Sequence, residues 1–170
     1  MVNDRRMKRD TLQQGVGLAV FILVCCAAAG LGGIVTTPNI PSWYAGLAKP
    51  AWTPPDWIFG PVWTLLYLMM GVSAWILWRQ TGLAGAKLPL TVFAIQLALN
   101  SLWSVLFFGL QSPGAAAVEI VLLWAAILAT LIAFWKRSKP AGGMLVPYLA
   151  WVSFAAVLNF AIWWLNASGA

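Results

Sequence analysis

Three stretches of this sequence place polar and aromatic side chains inside otherwise apolar runs, at the three-, four-, seven- and eleven-residue spacings that share one side of a helix. Gln96, Asn100, Trp103 and Ser104 make one such face, and Tyr148, Trp151, Ala155 and Asn159 make a second. Trp63 and Tyr67 supply a third. Amides bring a donor and an acceptor, and indoles bring a flat apolar surface with one N–H, so these faces suit a pocket that holds a mostly apolar molecule by stacking and a few hydrogen bonds. A structural role fits the same residues. Gln96, Asn100 and Asn159 could bond helix to helix, where a membrane amide contributes about 0.6–2 kcal/mol, and Trp63 and Trp151 suit packing as well as they suit a pocket.

The residues that are missing narrow the chemistry further. Histidine is absent, which removes the commonest general base and the commonest ligand for haem, zinc and copper, so no metal site is expected. The acids are Asp4, Asp10, Asp56 and Glu119 alone, too few and too scattered for paired carboxylates, and there is neither a Gly-rich phosphate loop nor a Ser/His/Asp set. Classical enzyme chemistry is poorly supported, and no cofactor is expected. Glu119 falls within an apolar run, where a carboxylate costs a few kcal/mol and is a functional suspect. It suits equally a helix N-terminus or a bond to a neighbouring helix. One carboxylate does not make the relay of charges that an ion-coupled transporter needs. Cys25 and Cys26 are adjacent, so on a helix they point about 100° apart and read as packing residues rather than a disulfide.

Helices in a bilayer must position these faces. Of the 170 residues 62% are hydrophobic and 8% charged, and the mean hydropathy is +0.84; these values mark an integral membrane protein. Five segments, 15–37, 57–79, 88–110, 115–135 and 143–166, each have about the 20 residues that cross a hydrocarbon core of about 30 Å. None alternates like a barrel strand, so the predicted fold is an all-α bundle of five transmembrane helices forming one domain over 15–166. A basic extension, 1–14, precedes it and a short tail, 167–170, follows. The first segment is too long for a typical signal-peptide core. Nine of the ten basic residues fall on one side of this topology, and only Lys49 falls on the other. The N-terminus is therefore expected in the cytoplasm, with the first connection and the C-terminus outside, in a bacterial inner membrane. The net charge of +6 is then a topology signal with some affinity for anionic lipid, and no nucleic-acid partner is expected.

The connection between the first two segments is unusual. Six of the ten prolines and four of the twelve tryptophans lie between Pro38 and Trp63. Proline fixes φ and withholds an N–H, so this stretch is no regular helix until it passes Pro61, and an ordered, aromatic-rich lid over 43–56 is expected. Trp52, Trp57, Trp78, Trp135, Trp163 and Trp164 lie near span ends and read as interfacial anchors. Small residues four apart, Ala28 and Gly32, Ala29 and Gly33, and Ala125, Ala129 and Ala133, allow close helix approach within a monomer or between monomers.

Four ordered motifs carry a resemblance. They are W-Y-x-x-L-x-K-P-x-W-T-P-P at residues 43–55, P-V-W-T-x-L-Y at 61–67, Q-L-x-L-N-x-x-W-S at 96–104 and P-Y-L-x-W-V-x-F-A-x-x-L-N at 147–159. Together they resemble the TspO/MBR family of tryptophan-rich sensory and translocator proteins, over about residues 15–164. The resemblance implies a commonly dimeric five-helix bundle that binds porphyrins and other hydrophobic small molecules beneath the long first loop. Tyr44 and Pro54 would then be lid residues, and Trp63, Asn100, Trp151 and Ala155 would line the pocket with Phe59, Gln96 and Trp103 beside them. In some bacterial relatives the tryptophans matching Trp63 and Trp151 are linked to light- and oxygen-dependent porphyrin degradation, which would make these two catalytic. A porphyrin is a flat π-system with carboxylates at one edge, suited to stacking on indoles while amides and Lys49 meet its polar groups.

A sensor or binding protein in tetrapyrrole metabolism is thus the leading expectation, with a porphyrin-degrading enzyme and a porphyrin or lipid transporter as alternatives. The sterol motif of animal members needs a tyrosine followed by a basic residue late in the last helix. Here Phe160 stands there with no Lys or Arg after it, so sterol recognition by that motif is not expected.

Overall fold

A computed structural model describes residues 2–167, with side chains from residue 11 onward. The described residues form helices and connections without a strand: α1 (Val2–Thr36), α2 (Phe59–Ser104), α3 (Pro113–Trp135), a short α4 (Lys139–Gly143) and α5 (Val146–Ala167). Four helical stretches, 11–39, 56–109, 113–135 and 139–167, are long and apolar enough to cross a membrane. Helix is what such sequences must form in lipid, because every backbone polar group is then satisfied within its own segment. The N-terminal stretch expected as a separate extension continues α1 back to Val2, and the last three residues of the expected tail lie outside the described residues.

The sequence suggested two helices, 57–79 and 88–110, where the backbone runs as one 46-residue element, α2, broken only at Gly82. There φ is +66° and ψ is 175°, a conformation essentially reserved for glycine. The break turns the element back on itself. The Tyr67 hydroxyl donates to Asn100 Oδ1 at 2.7 Å, although 33 residues of straight helix would separate them by about 50 Å. The two arms of α2 therefore lie side by side. Pro61 sits in the first turn, where its missing N–H would have no partner in any case.

Helices meet where side chains are small. A Cβ on Gly71 would lie 3.0 Å from the Ile22 Cα of α1, and one on Gly32 would lie 3.0 Å from Ser104 Oγ. Ser101 Oγ also donates to the Ala28 carbonyl at 3.3 Å. The Ala28 and Gly32 row thus packs inside the molecule, whereas Ala125 and Ala129 face outward on α3. Five of the six proposed anchor tryptophans are among the exposed large apolar side chains, with Trp57 and Trp164 the most exposed at 73% each.

After Ser104 the chain widens into one π-helical stretch, Val105–Gly109, closed by Leu110 N–H donating to the Val105 carbonyl at 2.7 Å. Gln111 follows with φ +51°. The wider turn carries consecutive Phe107 and Phe108 into the interior together.

Candidate functional site

Residues 37–58 join α1 to α2 through three short 3₁₀ turns, Thr37–Asn39, Tyr44–Gly46 and Asp56–Ile58. The prolines that rule out a long helix leave backbone groups that need other partners. Asn166, in the last turn of α5, supplies two: its Oδ1 accepts from Ala48 N–H at 3.1 Å and its Nδ2 donates to the Ala48 carbonyl at 2.9 Å. Lys49 Nζ donates to the Tyr44 carbonyl at 2.7 Å and lies 4.3 Å from the centre of the Tyr44 ring. The rings of Trp43 and Tyr44 pack on Phe107 and Phe108 with centroids 5.5–6.4 Å apart, and Trp52 meets Phe154 edge-on at 5.8 Å. Burial, and secondarily the nearby Asp56 carboxylate, push the Tyr44 phenol up to about 12, so it stays a neutral hydroxyl at physiological pH.

Two adjoining cavities open beside this connection. The first, about 80 Å³, is walled mainly by aromatic side chains from α2, the π-helical stretch and α5, including Phe59, Trp63, Trp103 and Trp151, with Tyr44 and Ala155. The second, about 270 Å³, lies between α1 and both arms of α2. Its wall combines Gly32, Gly33 and Gly60 with the hydroxyls of Thr36, Thr37, Thr64, Tyr67 and Ser104 and with Asn100. Thr36, Ile40, Asp56, Phe59 and Trp63 border both, which makes them two chambers of one site.

Of the residues proposed from sequence, Tyr44, Phe59, Trp63, Trp103, Trp151 and Ala155 border the first chamber, and Asn100 borders the second. Pro54 and Gln96 border neither. The amides work chiefly for the helices. Asn100 accepts from Tyr67 and donates to Tyr148 at 2.7 Å; the Tyr148 hydroxyl donates to Gln96 Oε1 at 2.8 Å, and Gln96 Nε2 reaches Met70 Sδ at 3.7 Å. This continuous buried chain joins both arms of α2 to α5. Asn159 likewise accepts from Trp103 Nε1 at 2.9 Å and donates to the Pro113 carbonyl at 2.8 Å.

Two buried polar groups stand apart from these networks. Glu119 is only 5% exposed, and neither of its carboxyl oxygens has a hydrogen-bond partner among the described residues, so it makes no bond to a neighbouring helix. Trp151 Nε1 is also buried and unpartnered, although its ring is closely packed between Phe59 at 6.0 Å and Phe154 at 5.5 Å. Trp63 lies between the rings of Tyr67 and Tyr148, at 5.8 and 6.3 Å. Phe107 and Phe108 were not picked out from sequence, because consecutive residues on an α-helix cannot share a face and nothing in V-L-F-F-G announces the wider turn.

These features define a class: a helical membrane protein with an indole-lined internal cavity beside a proline-rich connection. The family model for the TspO/MBR family matches residues 21–165. The chain is 51% identical to the "Tryptophan-rich protein TspO" of Chlorobaculum tepidum over 146 residues, covering 83% of this chain and 90% of that protein. It is 42% identical to the "Translocator protein" of Sus scrofa over 139 residues, or 78% and 82% of the two chains. With the "Tryptophan-rich sensory protein" of Cereibacter sphaeroides it shares 37% identity over 149 residues, or 88% and 91%. This protein belongs to the TspO/MBR family.

Proposed function

We propose that the two-chambered cavity binds protoporphyrin-like tetrapyrroles and other hydrophobic small molecules, and that the protein serves a regulatory or sensory role in tetrapyrrole metabolism. The observation that carries this reading is the meeting of Trp63, Trp103 and Trp151 on one apolar chamber, a wall suited to stacking against a flat π-system. The naming of one relative as a sensory protein agrees with it. In this reading the two arms of α2 count as separate spans. The five-span topology then follows, with the N-terminus and every basic residue but Lys49 on the cytoplasmic side of a bacterial inner membrane. Residues 43–56 are the lid, and the outward Ala125 and Ala129 of α3 give a second copy a close-packing surface for a homodimer.

Neither chamber, at about 80 and 270 Å³, reaches the 300–1,000 Å³ or so usual for a pocket that encloses a ligand of drug size. A tetrapyrrole therefore enters only as the walls part, and the lid is joined to α5 by the two bonds between Asn166 and Ala48. Titration of the purified protein with protoporphyrin IX in darkness, followed by quenching of indole emission, tests the reading. Saturable binding weakened about tenfold or more by Trp63→Phe or Trp151→Phe is expected, and unchanged affinity in both variants would remove the assignment.

Light-dependent degradation of the porphyrin is a second reading, favoured by the flanking of Trp63 by two tyrosine rings. It requires a new absorbing product on illumination in oxygen, lost in the tryptophan variants while binding persists.

A further inference from the structure

Among the described residues Asp56 is the one charged side chain that borders either chamber, and it borders both. It lies at the start of the last 3₁₀ turn before α2, and among the described residues its carboxylate has no ion pair or hydrogen bond. Lys49, the one basic residue of the connection, borders neither chamber; its ammonium group is turned onto the Tyr44 carbonyl and ring. The amides on these walls already bond within the protein: Asn100 and Asn159 each accept one hydrogen bond and donate one. The unpartnered buried donor on this wall, Trp151 Nε1, is neutral. The remaining basic residues among those described, Arg79, Lys87, Lys136, Arg137 and Lys139, stand beyond the other ends of the helices that build the site.

A ligand whose polar end reaches this rim meets a negative charge and no cation. We propose that Asp56 selects ligands by charge: the site takes a flat apolar molecule whose polar end is neutral or cationic, and disfavours one whose polar end is a free carboxylate. The inference rests on the cavity being a ligand site, as argued above, and it narrows the ligand class. A tetrapyrrole with free acid groups must keep them outside the rim, whereas its esters or cationic derivatives insert either way round. An acidic residue in the first turn of a helix also has a purely structural role, through the helix dipole. That role predicts no discrimination among ligands.

The test uses the full chain in a neutral detergent, as wild type, Asp56→Asn, Asp56→Glu and Asp56→Lys. Two probes share one flat aromatic body and differ in charge: pyrenebutyrate and pyrenebutyltrimethylammonium, read by energy transfer from indole. The ratio of their affinities cancels any general loosening of the fold. In Asp56→Asn the preference for the cation is expected to fall about two- to sixfold relative to wild type, because the ratio loses both the attraction of the cation and the repulsion of the anion, each one unit-charge interaction across about 8 Å of well-screened medium. Asp56→Glu should retain the preference and Asp56→Lys should reverse it.

An affinity ratio that is the same in all four proteins, or no saturable binding of either pyrene probe, overturns the proposal. Protoporphyrin IX and its dimethyl ester, run in parallel, separate this idea from the tetrapyrrole reading. Charge discrimination between the pyrene probes without porphyrin binding upholds the role of Asp56 and sinks the tetrapyrrole. Binding of diacid and ester alike, unmoved by Asp56→Asn, does the reverse.

Discussion

Tyr148 stands at the centre of the buried polar chain, and what it touches fixes the effect of removing one oxygen. Its hydroxyl accepts from Asn100 and donates to Gln96, so Tyr148→Phe strands two buried amide groups. A loss of roughly 1–3 kcal/mol is expected, read as a lower melting temperature in detergent. Because Tyr148 borders neither chamber, the affinity for protoporphyrin of the protein that remains folded should hardly change; a selective loss of binding would show that the chain, and not the indole wall, recognises the ligand. Ala155 is the opposite case. It borders the first chamber as a small side chain, and Ala155→Leu should fill that space and weaken binding about tenfold or more while the melting temperature holds. The helical spacing of these residues was legible in the sequence, since 96, 100 and 103 and 148, 151 and 155 fall on common faces. Their division of labour was not. An amide presents the same spacing whether its partner is a ligand or a tyrosine on another helix, and only the paired distances separate the two.

Among the elements, α2 depends on one residue. A side chain at Gly82 would meet no neighbour within 4 Å, so the cost of Gly82→Ala comes from its dihedral angles alone. About 1–3 kcal/mol is expected, with weakened Tyr67 to Asn100 contact seen as faster hydrogen exchange along both arms. Sequence reading found the two apolar arms but placed a connection of several residues between them. The apolar count defines a span, whereas the position where the backbone leaves the helix is set by a single glycine in a run of residues that all tolerate helix. The connection between α1 and α2 depends on Asn166 in the same local way. Asn166→Ala removes both bonds to Ala48, and it should speed the entry and release of protoporphyrin in stopped-flow measurements more than it changes the affinity. Tyr44 gives this connection a pH signature. Its phenol is un-ionised in the folded state up to about 12, against about 10 when exposed, so the stability it contributes is complete below pH 10 and falls as pH rises from 10 towards 12. The absorbance titration at 295 nm, taken as the difference between wild type and Tyr44→Phe, should show this late ionisation.

For the molecule as a whole, close approach of helices is what the small residues provide. Gly71→Val would drive side-chain atoms into the Ile22 backbone of α1, and a loss of about 1–3 kcal/mol measured by thermal unfolding is expected if the helices cannot part freely. The doubled-back α2 also bears on how the chain is made. Synthesis runs from the N-terminus, so Tyr67 and Asn100 can pair while residue 148 is still to be translated. In that partial assembly the amide N–H₂ of Asn100 and the Gln96 carbonyl have no tyrosine to meet. The arrival of α5 supplies one hydroxyl that answers both, so its docking is favoured by hydrogen bonding in a medium where lipid and protein interiors are equally apolar. The docking of α5 thereby acts as a closing step of assembly, and the same helix carries Trp151 and Ala155 to the first chamber, so that this chamber takes shape only after the second, which α1, the connection and α2 wall between them.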